Sequence, residues 1–255
     1  MSRFADKLKD ALQVTPPAMG FFRNATPVGK PRMLLVAQLA PEDAEVAPDL
    51  MKAADAAFII CSKALPAKTL KILVKAAGDA PLGMWFTGKT QSKSVEGVDF
   101  VVFDSENTLL PICDAINGKV LAMPLDLPDN LARVLNDLPV ESVLVNASAN
   151  GILTWGDLMR LYRMGDFITK PLLMQVPATI SESEINMLWD AGVDALVVPL
   201  SGENQADFKK LRTVVDGLKL APKRKWIKPR ALVPVIKQDE SVSNADDDDG
   251  SEDDE

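Results

Sequence analysis

The sequence predicts an α/β chain in which residues 31–218 close into one compact (βα)8-type barrel. Three observations carry this. Short runs rich in Val, Ile, Leu and Phe recur eight times between Met33 and Pro199, without the polar alternation of half-exposed strands, as expected where a parallel sheet is buried on both faces. Most intervening segments repeat their apolar residues with helical spacing. Eight strands with about seven helices is the inventory of a closed barrel, though roughly 190 residues is short against the usual ~250. An open doubly wound sheet is the competing architecture. It is disfavoured because Gln38-Leu39-Ala40-Pro41 follows the first strand, where a dinucleotide fold carries G-x-G-x-x-G.

Residues 1–30 precede the barrel. Phe4, Leu8, Ala11 and Leu12 form an amphipathic stripe, expected to plug the bottom of the barrel, with a partner contact as the alternative. Thr15–Lys30, with prolines at 16, 17 and 27, reads as loop. The expected strands are Met33–Gln38, Ala56–Cys61, Leu82–Thr87, Phe100–Asp104, Val120–Pro124, Ser142–Asn146, Leu172–Val176 and Ala195–Pro199.

The helices follow from spacing and punctuation. Leu70, Leu73, Val74 and Ala77 make a stripe ending at Gly78. Leu131, Val134, Leu135 and Leu138 make another, and Trp155, Leu158, Met159 and Tyr162 a third. Ser181 and Glu184 form a capping box ahead of Ile185, Leu188 and Trp189, with Gly192 placed to end that helix. Phe208, Leu211, Val214, Val215 and Leu218 complete the series. Gly88–Asp99 is near the minimum for a parallel crossover, and its Ser, Lys, Thr and Gly content predicts a loop or a single turn.

Beyond the barrel, residues 219–237 are basic, with Lys219, Lys223, Arg224, Lys225, Lys228 and Arg230 around Trp226. Residues 238–255 are an acidic tail. Asp246–Glu255 holds eight carboxylates, so a net charge of −8 leaves residues 1–245 neutral. With nothing apolar to offset ordering entropy, the tail is expected to be disordered. It reads as a solubility segment or a weak electrostatic contact, and protein partners are expected through this tail or the N-terminal helix. The cations flanking Trp226 resemble a single-strand stacking site, but the lack of repetition and the adjoining acids argue against nucleic acid.

The chain has no histidine. A Ser-His-Asp triad, a Cys-His pair and a His-ligated metal are therefore excluded within it, and no metal site is expected. Acid/base work falls to Asp, Glu, Lys, Tyr or Cys. Cys61 and Cys113 both lie among apolar residues and read as reduced, buried thiols. No apolar run suits a membrane span or a signal segment, so the cytoplasm is the expected location.

Asp190-Ala191-Gly192-Val193-Asp194-Ala195-Leu196-Val197-Val198-Pro199 resembles the late βα units of phosphate-binding TIM barrels. The resemblance implies a TIM-like fold, and a phosphate held on backbone N–H groups after the seventh and eighth strands. The matching positions here are Ala178-Thr179 and Ser201-Gly202, where the family's loops usually carry more glycine.

Gly83-Met84-Trp85-Phe86-Thr87-Gly88-Lys89-Thr90 fits the P-loop pattern G-x-x-x-x-G-K-[ST]. A P-loop needs a strand before its first glycine and a helix after its Ser/Thr. Here a turn, Gly78–Pro81, precedes, and no apolar stripe follows Thr90, so the match reads as a strand.

Barrel chemistry gathers at the C-terminal ends of the strands. Asp104 is the candidate acid/base and Lys89 the candidate charge stabiliser. Lys63, Asn146, Gln175, Thr179, Ser201 and Gly202 are the candidate ligand contacts, with Gln38 nearby. Asp126 reads as a helix cap. The leading expectation is binding of a small anionic metabolite, phosphorylated or not, at this mouth, with lyase- or isomerase-type chemistry if it is an enzyme. Two other readings stay open: a non-catalytic barrel acting as scaffold or complex subunit, and nucleotide binding through Gly83–Thr90. The residues name no cofactor.

Overall fold

The computed structural model describes residues 2–12, 32–42, 52–61, 67–87, 97–110, 118–146, 152–201 and 204–221. The expectations for Thr15–Lys30, Lys63, Lys89, Cys113, Gly202 and everything from residue 222 lie outside these.

Helix α1 (Arg3–Leu12) precedes strands β1 (Leu34–Leu39) and β2 (Ala56–Cys61). Helix α2 (Ala67–Ala77), β3 (Leu82–Phe86), β4 (Phe100–Asp104), β5 (Gly118–Pro124) and α3 (Asp129–Val134) follow. The chain continues through β6 (Ser142–Asn146), α4 (Trp155–Phe167), β7 (Leu172–Gln175), α5 (Glu182–Asp190), β8 (Val193–Leu200) and α6 (Gln205–Gly217). The strands pair in sequence order, all parallel, and β8 returns to β1, so the sheet is a closed barrel. No helix among the described residues is long and apolar enough to cross a membrane.

Because strand side chains alternate, each strand feeds two cores. Leu35, Ala37, Ile59, Val143 and Val198 face outward into the shell between sheet and helices. Leu34, Val36, Phe58, Phe100, Val102, Leu144, Leu173 and Val197 fill the barrel interior. Gly83 belongs to that interior packing: a Cβ there would stand 2.4 Å from the Phe100 ring. The first four residues of the P-loop match, Gly83–Phe86, are therefore strand, with the glycine making room for an aromatic ring and not for a phosphate.

Helix α1 seals the N-terminal end of the barrel. Phe4, Leu8 and Ala11 join the interior cluster, and Phe4 stacks on Phe100 with centroids 4.4 Å apart. Its first turn is tied down by residues just ahead of the strands. The Phe4 and Arg3 amides donate to Asp99 at 2.9 and 3.0 Å, and the Ser2 hydroxyl donates to Glu141 at 2.6 Å. Asp55 completes this end. It accepts from the Leu35 amide at 2.9 Å and pairs with Arg212 at 2.6 Å and Arg32 at 3.2 Å.

Two expected helix faces are corrected. In α3 the buried residue is Ala132, with Leu135 buried just beyond, while Leu131, Val134 and Leu138 are exposed. In α4 the inward residues are Leu161 and Met164. Trp155 and Met159 are 74% and 72% exposed, so the aromatic stripe points away from the barrel. Asp126 does not cap α3 either; Pro128 holds the N-cap position and the Asp126 side chain is exposed.

Candidate ligand site at the barrel mouth

Alternation carries the interior faces of the strands up to their C-terminal ends. Two residues beyond Val36, Val102, Leu144 and Leu173 come Gln38, Asp104, Asn146 and Gln175, which face the same way. A polar ring thus crowns an apolar interior. Asp104 and Asn146 meet in one cavity of about 660 Å³ at the ends of β4, β5 and β6, where Glu106, Asp126, Asp157 and Arg160 also contribute to the wall.

Asp104 is partly buried, and burial holds its carboxyl above the usual aspartate range. The Trp85 indole N–H opposes this rise and the Glu106 carboxylate adds to it. That indole N–H is buried near enough to Asp104 to act on its carboxyl, but outside the geometry of a full hydrogen bond. Gln38 Oε1 and Asn146 Oδ1 are likewise buried with no hydrogen-bond partner.

Arg160 brings the one cation among the described residues of the cavity wall. Sequence reasoning missed it because it lies on a helix and not at a strand end. Thr154 caps α4 and exchanges hydrogen bonds with Asp157, whose other oxygen holds Arg160 at 3.2 Å. Asp157 is buried, so this pair fixes the guanidinium at the rim. The spacing Thr154-x-x-Asp157 was the signal that could have located it.

The positions after β7 and β8 are arranged differently. Thr179 and Ser201 are exposed and lie outside the cavity wall, as does Gln175. The Ser201 amide donates to Asn204 Oδ1 at 2.9 Å, so its N–H is already taken. At the N-terminus of α5 the Ser181–Glu184 capping box is formed, and its hydrogen bonds from Ser181 hold the Glu184 carboxyl below the usual range. The structure therefore brings Asp104 and Asn146 together in the cavity, sets Gln175 at the end of the strand next to Asn146 but outside the cavity wall, and leaves Thr179 and Ser201 outside it as well. Among the described residues no group of His, Cys, Asp and Glu is arranged to hold a metal ion.

No protein-family model matches the sequence, and no curated protein sequence does. The fold does match solved structures. (S)-3-O-geranylgeranylglyceryl phosphate synthase from Thermoplasma acidophilum, solved with sn-glycerol-1-phosphate, superposes with a TM-score of 0.57 at 14% identity, over 86% of this chain and 100% of that one. A mutant tryptophan synthase α-subunit from Pyrococcus furiosus gives 0.58 at 12% identity, over 73% and 99%. Thiamine phosphate pyrophosphorylase from Pyrococcus furiosus gives 0.53 at 12% identity, over 72% and 96%. At such identities the likeness is one of fold, and the fold is a TIM barrel.

Proposed function

We propose that this chain binds a small phosphorylated metabolite at the barrel mouth and transfers a proton to or from it through Asp104, as a lyase or isomerase does. The observation that carries the reading is the state of Asp104. Its carboxyl is partly buried, held by that burial above the usual aspartate range, and set in an open cavity beside polar groups that lack partners. A raised carboxyl in a cleft is poised for general acid or base work. The solved neighbours support a phosphate ester in general terms, since one of them holds glycerol phosphate.

The electrostatics orient the ligand. Four carboxylates and one guanidinium stand on the described wall, so a dianion is repelled over most of it. The phosphate end belongs at Arg160. The hydroxyl- or carbonyl-bearing end belongs against Asp104, Asn146 and the Trp85 N–H.

Thermal denaturation with glycerol phosphates, sugar phosphates and their dephosphorylated counterparts tests this. A ligand at one hundred times its Kd adds about 2.7 kcal/mol, or roughly 5–10 °C in a chain of this size. The expected result is a shift for one phosphorylated class, lost in Arg160→Ala and kept in Asp104→Asn, whose turnover of the same compound is abolished. If no phosphorylated compound shifts the transition, or if Asp104→Asn turns it over at the wild-type rate, the reading fails.

A further inference from the structure

The outward face of α4 is the feature the mouth does not explain. Ile152, Trp155, Met159 and Tyr162 are all exposed on or beside α4, and Met187 joins them from α5. Between the two helices runs an apolar groove of about 240 Å³ lined by Leu153, Trp155, Leu158, Met187 and Leu188, with Glu184 at one edge. Large apolar side chains gathered around a groove mark a surface that something covers.

The chain itself leads there. After α6 the backbone crosses to α5, where the Ala221 carbonyl accepts a hydrogen bond from the buried Trp189 indole at 2.8 Å. Trp189 adjoins Leu188 of the groove. The next residues carry the apolar side chains Trp226, Ile227, Leu232, Val233, Val235 and Ile236. Trp226 is five residues beyond Ala221, about 16 Å when extended. Trp226 can therefore reach the part of the groove beside Leu188.

Charge points the same way. Helix α5 carries Glu182, Glu184 and Asp190 and no basic residue. The segment brings Lys223, Arg224, Lys225, Lys228 and Arg230. Basic residues around an apolar anchor suit an apolar groove bordered by carboxylates.

We propose that residues 222–236 are the occupant of the α4–α5 groove, seating Trp226 and Ile227 among Trp155, Leu158 and Met187 and laying their cations along the acids of α5. The segment is then a strap across the outside of the barrel, and the tail beyond it departs from this face.

Limited trypsinolysis of the full-length protein tests the strap. The sites after Lys223, Arg224, Lys225 and Arg230 report on it, whereas Lys228 is followed by Pro229 and is cut poorly. The full-length variants Met187→Asp and Trp226→Asp alter the groove and the anchor in turn, and circular dichroism and the melting transition verify that the barrel stays folded. The expected result is cleavage at these sites at least about tenfold faster in both variants than in the wild type, because a docked segment is cut only from its open state. Hydrogen exchange along residues 155–162 should rise in the same variants. Equal cleavage rates in all three proteins would overturn the proposal, as would acceleration by Trp226→Asp alone, which would place the anchor elsewhere. A concentration-dependent dimer dissolved by Met159→Asp, with the sites open in the wild type, would assign the face to a second copy and would also overturn it.

Discussion

Replacing Phe4 with alanine tests whether the N-terminal helix is part of the barrel or an ornament on it. Phe4 is 0% exposed. Its ring stacks on Phe100 at 4.4 Å, and Phe100 in turn meets Phe58 edge-on at 6.5 Å, inside the sheet. Truncation would remove the ring from this column and leave a hole that the closed sheet cannot collapse to fill. A buried Phe→Ala change of this kind costs about 3–5 kcal/mol. At 2–4 °C per kcal/mol for a domain of this size, the midpoint should fall by roughly 6–20 °C. Differential scanning calorimetry reads the change directly. Leu131→Ala is the control, because Leu131 is 49% exposed and such a change should stay within about 0.5 kcal/mol. A fall of less than about 2 °C for Phe4→Ala would refute the claim that α1 closes the interior.

Asp55→Ala leaves Arg212 and the Leu35 amide without their shared acceptor. Arg212 keeps its pair with Asp216, so the cost should fall short of the ~3–5 kcal/mol of a fully orphaned buried charge, and a loss below about 1 kcal/mol in urea titration would show the network to be solvated. Asp104→Asn should stabilise the protein near neutral pH, because burial raises the folded pKa of Asp104 and so disfavours its charged form. The stabilisation should fade as the pH falls through the raised folded pKa and be gone below the ordinary aspartate value of ~3.9, where the carboxyl is protonated folded or unfolded, and a pH-independent difference in midpoint would contradict this assignment. Cys61 is 1% exposed, with burial pushing its thiol up to about 11. At pH 8 it should hold roughly 200-fold less thiolate than an ordinary cysteine, so peptide mapping after alkylation should find it unlabelled until the protein is denatured. Native-state labelling at the rate of a small thiol would show otherwise.

The strands were legible because a parallel barrel buries both faces of each, which leaves an uninterrupted apolar run ending in a polar residue. Ala56–Cys61, Phe100–Asp104 and Ser142–Asn146 have the expected bounds. The other strands differ from expectation by one or two residues at an end, β1 as Leu34–Leu39, β3 as Leu82–Phe86, β5 as Gly118–Pro124 and β7 as Leu172–Gln175, and β8 is instructive. That strand begins at Val193, two residues early, because Asp194 looks like loop yet is fully buried and accepts from the Leu172 amide at 2.8 Å. The α4 stripe misled for a physical reason too. Periodicity reports that one face is apolar, and it does not say whether the sheet or another segment covers that face. At the mouth, Asp104 and Asn146 could be read from their places at strand ends. Arg160 could not, since its position depends on how Thr154 and Asp157 set the first turn of α4. The internal bond between Ser201 and Asn204 was equally hidden, although Asn three residues after Ser is a spacing that permits it.

The two ends of the barrel settle their polar groups in opposite ways, and this is the strongest physical reason to place a ligand at one of them. At the N-terminal end Asp99, Glu141 and Asp55 each hold a partner contributed by α1, by the chain entering β1 or by α6. At the C-terminal end Gln38 Oε1, Trp85 Nε1 and Asn146 Oδ1 are buried with no protein partner. Ser142 Oγ, at the start of β6, is the remaining side-chain atom of this kind among the described residues. It stands alone at the opposite, N-terminal end of the barrel. Leaving a buried donor or acceptor unmatched costs about 1–3 kcal/mol. Such a cost repeated on three different strands at one end, against a single hydroxyl at the other, is what a site looks like when its missing hydrogen bonds are to be supplied from outside the chain. The groups ask for one acceptor at Trp85 and donors at Gln38 and Asn146. A compound with an oxygen that accepts and hydroxyls that donate meets that demand, and a purely anionic one does not.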